Sequence, residues 1–269
     1  MKQIIDCHCH IYPEKIAAKA VANIGGYYNI SMDNKGTLDD LLQAGTKAGI
    51  THHIIFSVAT TPHQVRSINE FIANAVSLHK DVFTGLGTLH PHSTDIKGDA
   101  EHISELGLKG VKLHPDIQEI QMDSPECMEI YRICSGKLPI LFHCGDYRYD
   151  FSNPNRLKKV LEAFPDLQVI GAHFGGWSVW EEAAKELCGY KNLVVDCSSS
   201  LYALSPEKAA EIVRMYGAGR VLFGTDYPMW SPEEELKRFY AMKLTEEENE
   251  LILRKNAERI FMKGINSHE

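Results

Sequence analysis

No uninterrupted apolar run in this 269-residue chain approaches the ~20 residues needed to cross a bilayer; runs such as Ile54-Ile55-Phe56 are typical, and no membrane partner is expected. No apolar stretch precedes the first histidines of MKQIIDCHCH, so no secretion signal is expected. Lysine and arginine never form a block and the net charge is −8, which disfavours a nucleic-acid surface. Cysteine is present seven times, an odd number without framework spacing, which points to reduced thiols and a cytoplasmic protein. No Gly-x-Gly-x-x-Gly follows the first aliphatic run, which argues against a dinucleotide-binding sheet. Linkers and low-complexity segments are also missing, so residues 1–269 are expected to form one domain. The 44% hydrophobic and 24% charged content is an ordinary globular mixture. Histidine, with 13 copies, is the residue in excess.

Eight short aliphatic or β-branched runs recur: Gln3-Ile4-Ile5, Thr51 to Val58, Val82 to Leu89, Leu108 to Leu113, Leu138 to Phe142, Leu167 to Ala172, Leu193 to Val195 and Arg220 to Phe223. Nearly continuous apolarity suits parallel strands buried on both faces. Amphipathic segments at Gln64 to His79, Asn155 to Phe164, Glu181 to Cys188 and Glu207 to Tyr216 predict intervening helices, and Ser124-Pro125 and Ser205-Pro206 mark helix starts. After a longer first step, the polar residues that end the runs recur near the ~30 residues of a βα unit. The pattern predicts the α/β class and a distorted (β/α)8 TIM barrel. The long first step leaves Ile11 to Gly36, rich in Tyr and Gly, as an insertion after strand one, predicted as a loop or small cap over the mouth.

Asp6-Cys7-His8-Cys9-His10 ends the first run. Strand alternation puts His8 and His10 on one face and Cys7 and Cys9 on the other, so the imidazoles can share a cation that the thiols do not reach. His143, His173 and Asp226 end later runs, and a barrel gathers its C-terminal strand ends at one mouth. Three neutral imidazoles with one carboxylate and an open position suit Zn²⁺. Arg148, after the fifth run, offers a fork for a substrate carboxylate or simply faces solvent. Tyr12, Tyr27, Tyr28, Trp177 and Trp230 are candidate walls for a small-molecule pocket. His90 and His92 read as loop histidines, His52-His53 as lying at the opposite barrel end, and Asp196 as a hydrogen-bonded rim residue.

These pieces, with Gly110-Val111-Lys112-Leu113-His114-Pro115, Ala172-His173-Phe174-Gly175-Gly176, Leu222-Phe223-Gly224-Thr225-Asp226-Tyr227-Pro228 and the tail Asn256 to Phe261, resemble the amidohydrolase superfamily. More closely, they are similar to its amidohydrolase-related branch, which includes aminocarboxymuconate-semialdehyde decarboxylase. The resemblance implies a metal held by His8, His10, His143 and Asp226, with His173 positioning or deprotonating its water, assisted by Asp226. Binuclear relatives add a carboxylated lysine or a glutamate at the end of strand four. Here Lys112 and His114 share a face there, with Lys112 two residues deeper, so a carboxylated Lys112 stays open but one zinc per chain is expected, a second divalent metal being left open; His114 is a pocket residue, an extra ligand or a hydrogen-bonded histidine. A homodimer is implied on the same basis.

The leading functional expectation is hydrolysis of a small ester, lactone or amide by an activated water. The alternative is non-oxidative decarboxylation of a small carboxylic acid at the same residues. Phosphodiester cleavage of the TatD type lacks its strand-end glutamate and a basic groove, and a barrel that merely binds metal completes the set.

Overall fold

Every aliphatic run becomes a parallel strand in the computed structural model, which describes residues 3–262; the outermost residues of the expected 1–269 domain lie outside that range. The strands are β1 (Ile5–His10), β2 (His52–Phe56), β3 (Phe83–Gly85), β4 (Gly87–Thr88), β5 (Val111–Leu113), β6 (Ile140–Phe142), β7 (Val169–Gly171), β8 (Leu193–Asp196) and β9 (Val221–Leu222). They pair in two ladders, β1-β2-β3 and β4 through β9 in order. β3 and β4 are halves of one stave bent at Leu86. Leu86 N donates to Ile55 O on one side, Gly87 N donates to Gly110 O on the other, and both bonds are 2.9 Å. The ring closes where Cys7 N donates to Phe223 O at 2.9 Å and His10 N donates to Tyr227 O at 2.7 Å. Eight staves thus form the expected TIM barrel.

Two apolar layers follow from the period-2 alternation of strand side chains. Ile140 and Phe142 pack outward in the cluster between sheet and helices, whereas Leu141 joins Ile54, Ile170, Val194 and Leu222 inside the barrel. Each such side chain contributes about 1.5–3 kcal/mol on burial. The tail resolves into helix Asn256–Phe261, and its Ala257 and Phe261 belong to the inner cluster. Asn256 Nδ2 anchors this helix by donating to the carbonyls of Ala218 and Val221, each at 2.7 Å. Ser124 and Ser205 cap helices Pro125–Cys134 and Pro206–Tyr216 as their Ser-Pro signals require.

Of the two alternatives for the insertion the cap is the one found, and one other expectation needs correction. The insertion after β1 is a helix, Glu14–Tyr28, ended by Asn29 in the left-handed region at φ 53°. It is amphipathic but lightly buried, with Ala17 its sole buried residue, which suits an element laid across a mouth rather than into a core. The alternation along β1 fails at one point. The register against β2 slips between Asp6 and Cys9, so one extra residue is accommodated as a β-bulge. Cys9 therefore packs outward as expected, but Cys7 turns into the inner cluster. All seven cysteines are free thiols.

The wall is tight behind β2. A Cβ built on Gly45, in helix Leu38–Ala48, would lie 2.4 Å from Nε2 of the buried His53 ring. Gly45→Ala is expected to cost about 1–3 kcal/mol through overpacking, read as a fall of several degrees in thermal midpoint; an unchanged midpoint would show that His53 is not held there.

Candidate metal centre

Asp6 sets the height of the first strand against the last. Its buried carboxylate accepts from Thr225 N at 2.9 Å, Thr225 Oγ1 at 2.6 Å and His8 N at 3.1 Å. This strut draws the loop after β9 onto the end of β1. Asp226 Oδ1 consequently lies 3.4 Å from His8 Nε2 and 3.6 Å from His10 Nε2. Asp226 adopts φ 57°, a left-handed conformation that aspartate tolerates better than branched residues. Ser199 Oγ donates to Asp226 Oδ2 and itself accepts from Trp230 Nε1 at 2.9 Å.

The opposite nitrogen of His8 fixes its tautomer. His8 Nδ1 stands 2.9 Å from Asp196 Oδ2, so Nδ1 carries the proton and Nε2 offers its lone pair towards Asp226. Asp196 also accepts from His173 N at 3.1 Å and Ser198 N at 3.0 Å. Burial opposes its charge, yet His8, His173 and Ser198 hold this carboxyl well below the usual range.

A relay of imidazoles continues from there. His173 Nδ1 lies 2.9 Å from the Ser198 carbonyl, which only accepts, so Nδ1 is the protonated nitrogen. Burial pushes His173 down to about 4, which keeps it neutral and leaves Nε2 to accept from His143 Nδ1 at 3.1 Å. His143 Nε2 is then a buried nitrogen with a lone pair and no hydrogen-bond partner. Burial likewise holds His10, His114 and His143 well below the ordinary histidine range. Neutral imidazoles are what a cation site requires.

His8, His10 and Asp226 are thus brought together with His173 beside them, while His143 stands one imidazole further along. His114 has both nitrogens engaged. Nδ1 accepts from Ile117 N at 3.3 Å as a helix cap, Nε2 lies 2.9 Å from Tyr28 Oη, and the ring stacks on His143 at 3.9 Å. Lys112 sits inside the barrel with Nζ 3.4 Å from His8 Nε2 and 5.3 Å above the Phe56 ring; burial pushes its ammonium down to about 8.

A cavity of about 780 Å³ opens above these groups. Tyr12, Tyr27 and Tyr28 line it, as do Ile24, Phe71 and Ile117. Arg148 and Trp177 do not, contrary to expectation. Arg148 donates to both oxygens of Asp146 and to the Tyr27 carbonyl at 2.6 Å, with Tyr27, Tyr28, Tyr149 and Trp177 around its guanidinium. It clamps the first helix to the loop after β6, and its fork is already filled. Trp177 packs edge-on behind Tyr28 at 5.0 Å. His90 is tied into its own loop by His92 N. His53 faces Asp6 and Cys9 behind the wall, away from the cavity.

Sequence reasoning missed Asp116, Ser198 and Ser199. Asp116 lines the cavity with Oδ2 bonded to Ser152 Oγ and 3.8 Å from His143 Nε2, and burial pushes its carboxyl up to about 7. The available signal was its place two residues beyond His114, past the proline that seemed to end the strand.

A barrel with ligand-type side chains at its C-terminal mouth defines a class of metal-dependent enzyme, and the comparisons specify which. The amidohydrolase family model (Amidohydro_2) matches residues 5–262, and the chain belongs to that family, in the branch expected from its motifs. No curated protein matches the chain. Among solved structures, an uncharacterised TIM-barrel protein, Bb4693 from Bordetella bronchiseptica, is similar with TM-score 0.81 and 21% identity, covering 96% of this chain and 98% of that one. The 5-carboxyvanillate decarboxylase LigW from Sphingomonas paucimobilis gives 0.75 at 14% identity, covering 97% and 99%. A 5-carboxyvanillate decarboxylase from Novosphingobium aromaticivorans, complexed with manganese and 4-hydroxy-3-methoxy-5-nitrobenzoic acid, gives 0.77 at 17% identity, covering 97% and 96%. Among the described residues no helix is long and apolar enough to cross a membrane.

The buried histidines set a pH dependence. Burial pushes His53 to about 3 and His173 to about 4, whereas an unfolded imidazole titrates near ~6.5. Between those values the unfolded chain binds protons that the folded chain refuses. Their stabilisation is complete above pH ~6.5 and is lost as pH falls towards the folded values. Metal-free protein is expected to lose about 2 kcal/mol per such histidine between pH 7.5 and 5, measured by urea unfolding; a flat profile would contradict the neutral assignment.

Proposed function

We propose that this chain is a divalent-metal decarboxylase that releases carbon dioxide, without oxidation, from a small carboxylic acid of aromatic body. The observation that carries the reading is the floor of the cavity. His8 Nε2, His10 Nε2 and Asp226 Oδ1 converge there, His143 lines the same cavity with its unpartnered Nε2 grouped beside Asp116 and His114, and apolar and aromatic side chains wall the volume above. Hydrolysis of an ester, lactone or amide would use the same groups. The choice moves to decarboxylation because solved structures matching 97% of the chain carry the names of aromatic-acid decarboxylases, and because the walls suit a ring.

His8, His10 and Asp226 would hold the ion, with His143 as the fourth ligand that the family resemblance implies, and three imidazoles with one carboxylate favour zinc. When bound, the ion supplies Lewis-acid charge stabilisation for an anionic substrate. A single ion is proposed because both nitrogens of His114 are already engaged. The chain's own groups manage the proton. The bond from the substrate carbon to its carboxylate breaks, the electron pair remains on that carbon, and a proton replaces the departing carbon dioxide. Asp226, whose second oxygen accepts from Ser199 Oγ, is placed at the floor to hand on that proton, and the neighbouring His173 lines the same cavity with its Nε2 shared with His143 Nδ1. Asp196 keeps His8, and the Ser198 carbonyl keeps His173, in the tautomers this requires.

Two measurements test the reading. Elemental analysis is expected to find about one zinc per chain, and two ions or bound manganese would overturn the assignment. With a panel of hydroxylated benzoic acids, carbon dioxide release is expected, and His173→Ala should lower kcat by roughly 10²–10⁴-fold. Turnover that consumes water and releases no carbon dioxide would reject decarboxylation.

A further inference from the structure

The cavity is larger than a one-ring acid requires. At about 780 Å³ it exceeds several-fold the ~150 Å³ that suffices for a benzene-sized ring. The excess has a direction. Stave β2 ends at Phe56, and Ser57 and Val58, just past that end, line the cavity. Helix Val65–Leu78 follows this stave, and barrel topology places such a helix outside the ring of strands. Its Ile68 and Phe71, three residues apart on one helical face, nevertheless line the same cavity. The space therefore runs from the floor of His8, His10 and Asp226 over the end of β2 and onto the flank of the barrel.

The helix laid across the mouth, Glu14–Tyr28, forms the opposite wall. Its Ile16, Ala20 and Ile24 recur every four residues along one face, and all three line the cavity. Among the described residues none of the three belongs to either apolar cluster of the barrel, and Ile16 is 45% exposed. Ile68 and Phe71 are themselves only partly buried. Two apolar helix faces thus border one cleft, and the cleft is continuous with the floor where the chemistry is placed. That continuity, together with the spare volume, favours part of the same ligand as the occupant over a separate partner.

We infer that the cleft between helices Glu14–Tyr28 and Val65–Leu78 receives an apolar chain of several carbons borne on the ring of the substrate, whose acid group lies at the floor. This deepens the decarboxylase reading and rests on it for the acid. The substrate class becomes an alkyl-substituted aromatic acid. Ile16, Ala20 and Ile24 on one side and Ile68 and Phe71 on the other are its specificity-determining residues. Each methylene moved from water into the cleft tightens binding by up to about fourfold. A ring with no chain leaves the cleft to water.

The test titrates 2-hydroxybenzoate and its 4-, 5- and 6-alkyl derivatives, with methyl, propyl or pentyl chains, calorimetrically into the metal-loaded protein. At one ring position affinity is expected to rise with chain length, pentyl binding at least about tenfold more tightly than methyl. Ala20→Phe fills the cleft from a helix whose sole buried residue is Ala17, and it is expected to reduce that gain to about twofold or less. No gain at any position, an equal gain at all three (unspecific adsorption), or a gain that survives Ala20→Phe overturns the cleft. If Ala20→Phe fails to fold, Ile68→Ser decides in its place, with a fall in the gain to about threefold or less expected and an unaltered gain overturning the cleft. The two proposals fail separately. Carbon dioxide release with no gain from the chain removes the cleft and leaves the decarboxylase; a gain that Ala20→Phe abolishes, without carbon dioxide release from any probe, removes the decarboxylase and leaves the cleft.

Discussion

The seam between the first and last staves carries both the closure of the barrel and the assembly of its site. Two backbone bonds, Cys7 N to Phe223 O and His10 N to Tyr227 O, join segments more than two hundred residues apart in the chain. Asp6 locks that seam by receiving three donors from Thr225 and His8. With the seam closed, His8 and His10 meet Asp226, and with it open they belong to opposite ends of the polypeptide. Burial disfavours the charge of Asp6 and raises its pKa, and the three hydrogen bonds offset part of that cost. The conspicuous aspartate of the Asp-x-His-x-His motif is therefore a structural strut, and the histidines it supports face the chemistry.

A second carboxylate, Asp196, organises the interior charge. It sits at zero exposure among His8, His173 and Ser198 and holds its proton off by accepting from all three. The ring proton that His8 gives to Asp196, and the one that His173 gives to the Ser198 carbonyl, each leave a lone pair on the far side of the imidazole. The order passes from Asp196 through His8 to Asp226, and from Ser198 through His173 to His143. A low-dielectric interior makes such chains of directed bonds both strong and exacting, because any unpaired member is costly. That directionality lets a crowd of buried histidines remain neutral and point usable nitrogens at one cavity.

The mouth is built by a different device. Helix Glu14–Tyr28 buries little of its own surface, and it is held through Arg148, which joins Asp146, the Tyr27 carbonyl and a ring of aromatics. Reading Arg148 as a substrate fork was reasonable from its position after a strand end, but a guanidinium with a carboxylate two residues away meets that partner first. The bulge in β1 misled the alternation rule in the same manner. One inserted residue reverses the parity of everything before it, and nothing in the letters Asp-Cys-His-Cys-His announces that the slip falls at Cys7.

Strand positions, the α/β alternation and the identity of the strand-end histidines and Asp226 were all legible in the letters, since continuous apolar runs and their polar terminators are local properties of the chain. Helix starts at Ser124 and Ser205 were legible for the same reason. Pairings between distant residues were beyond local reading: that Asp196 faces His8, that both nitrogens of His114 are taken, that Arg148 is occupied, and that helices Glu14–Tyr28 and Val65–Leu78 line one cavity. Hydrogen-bond direction and burial exist only once the barrel has closed, because closure decides which polar atoms lose water and which neighbours replace it.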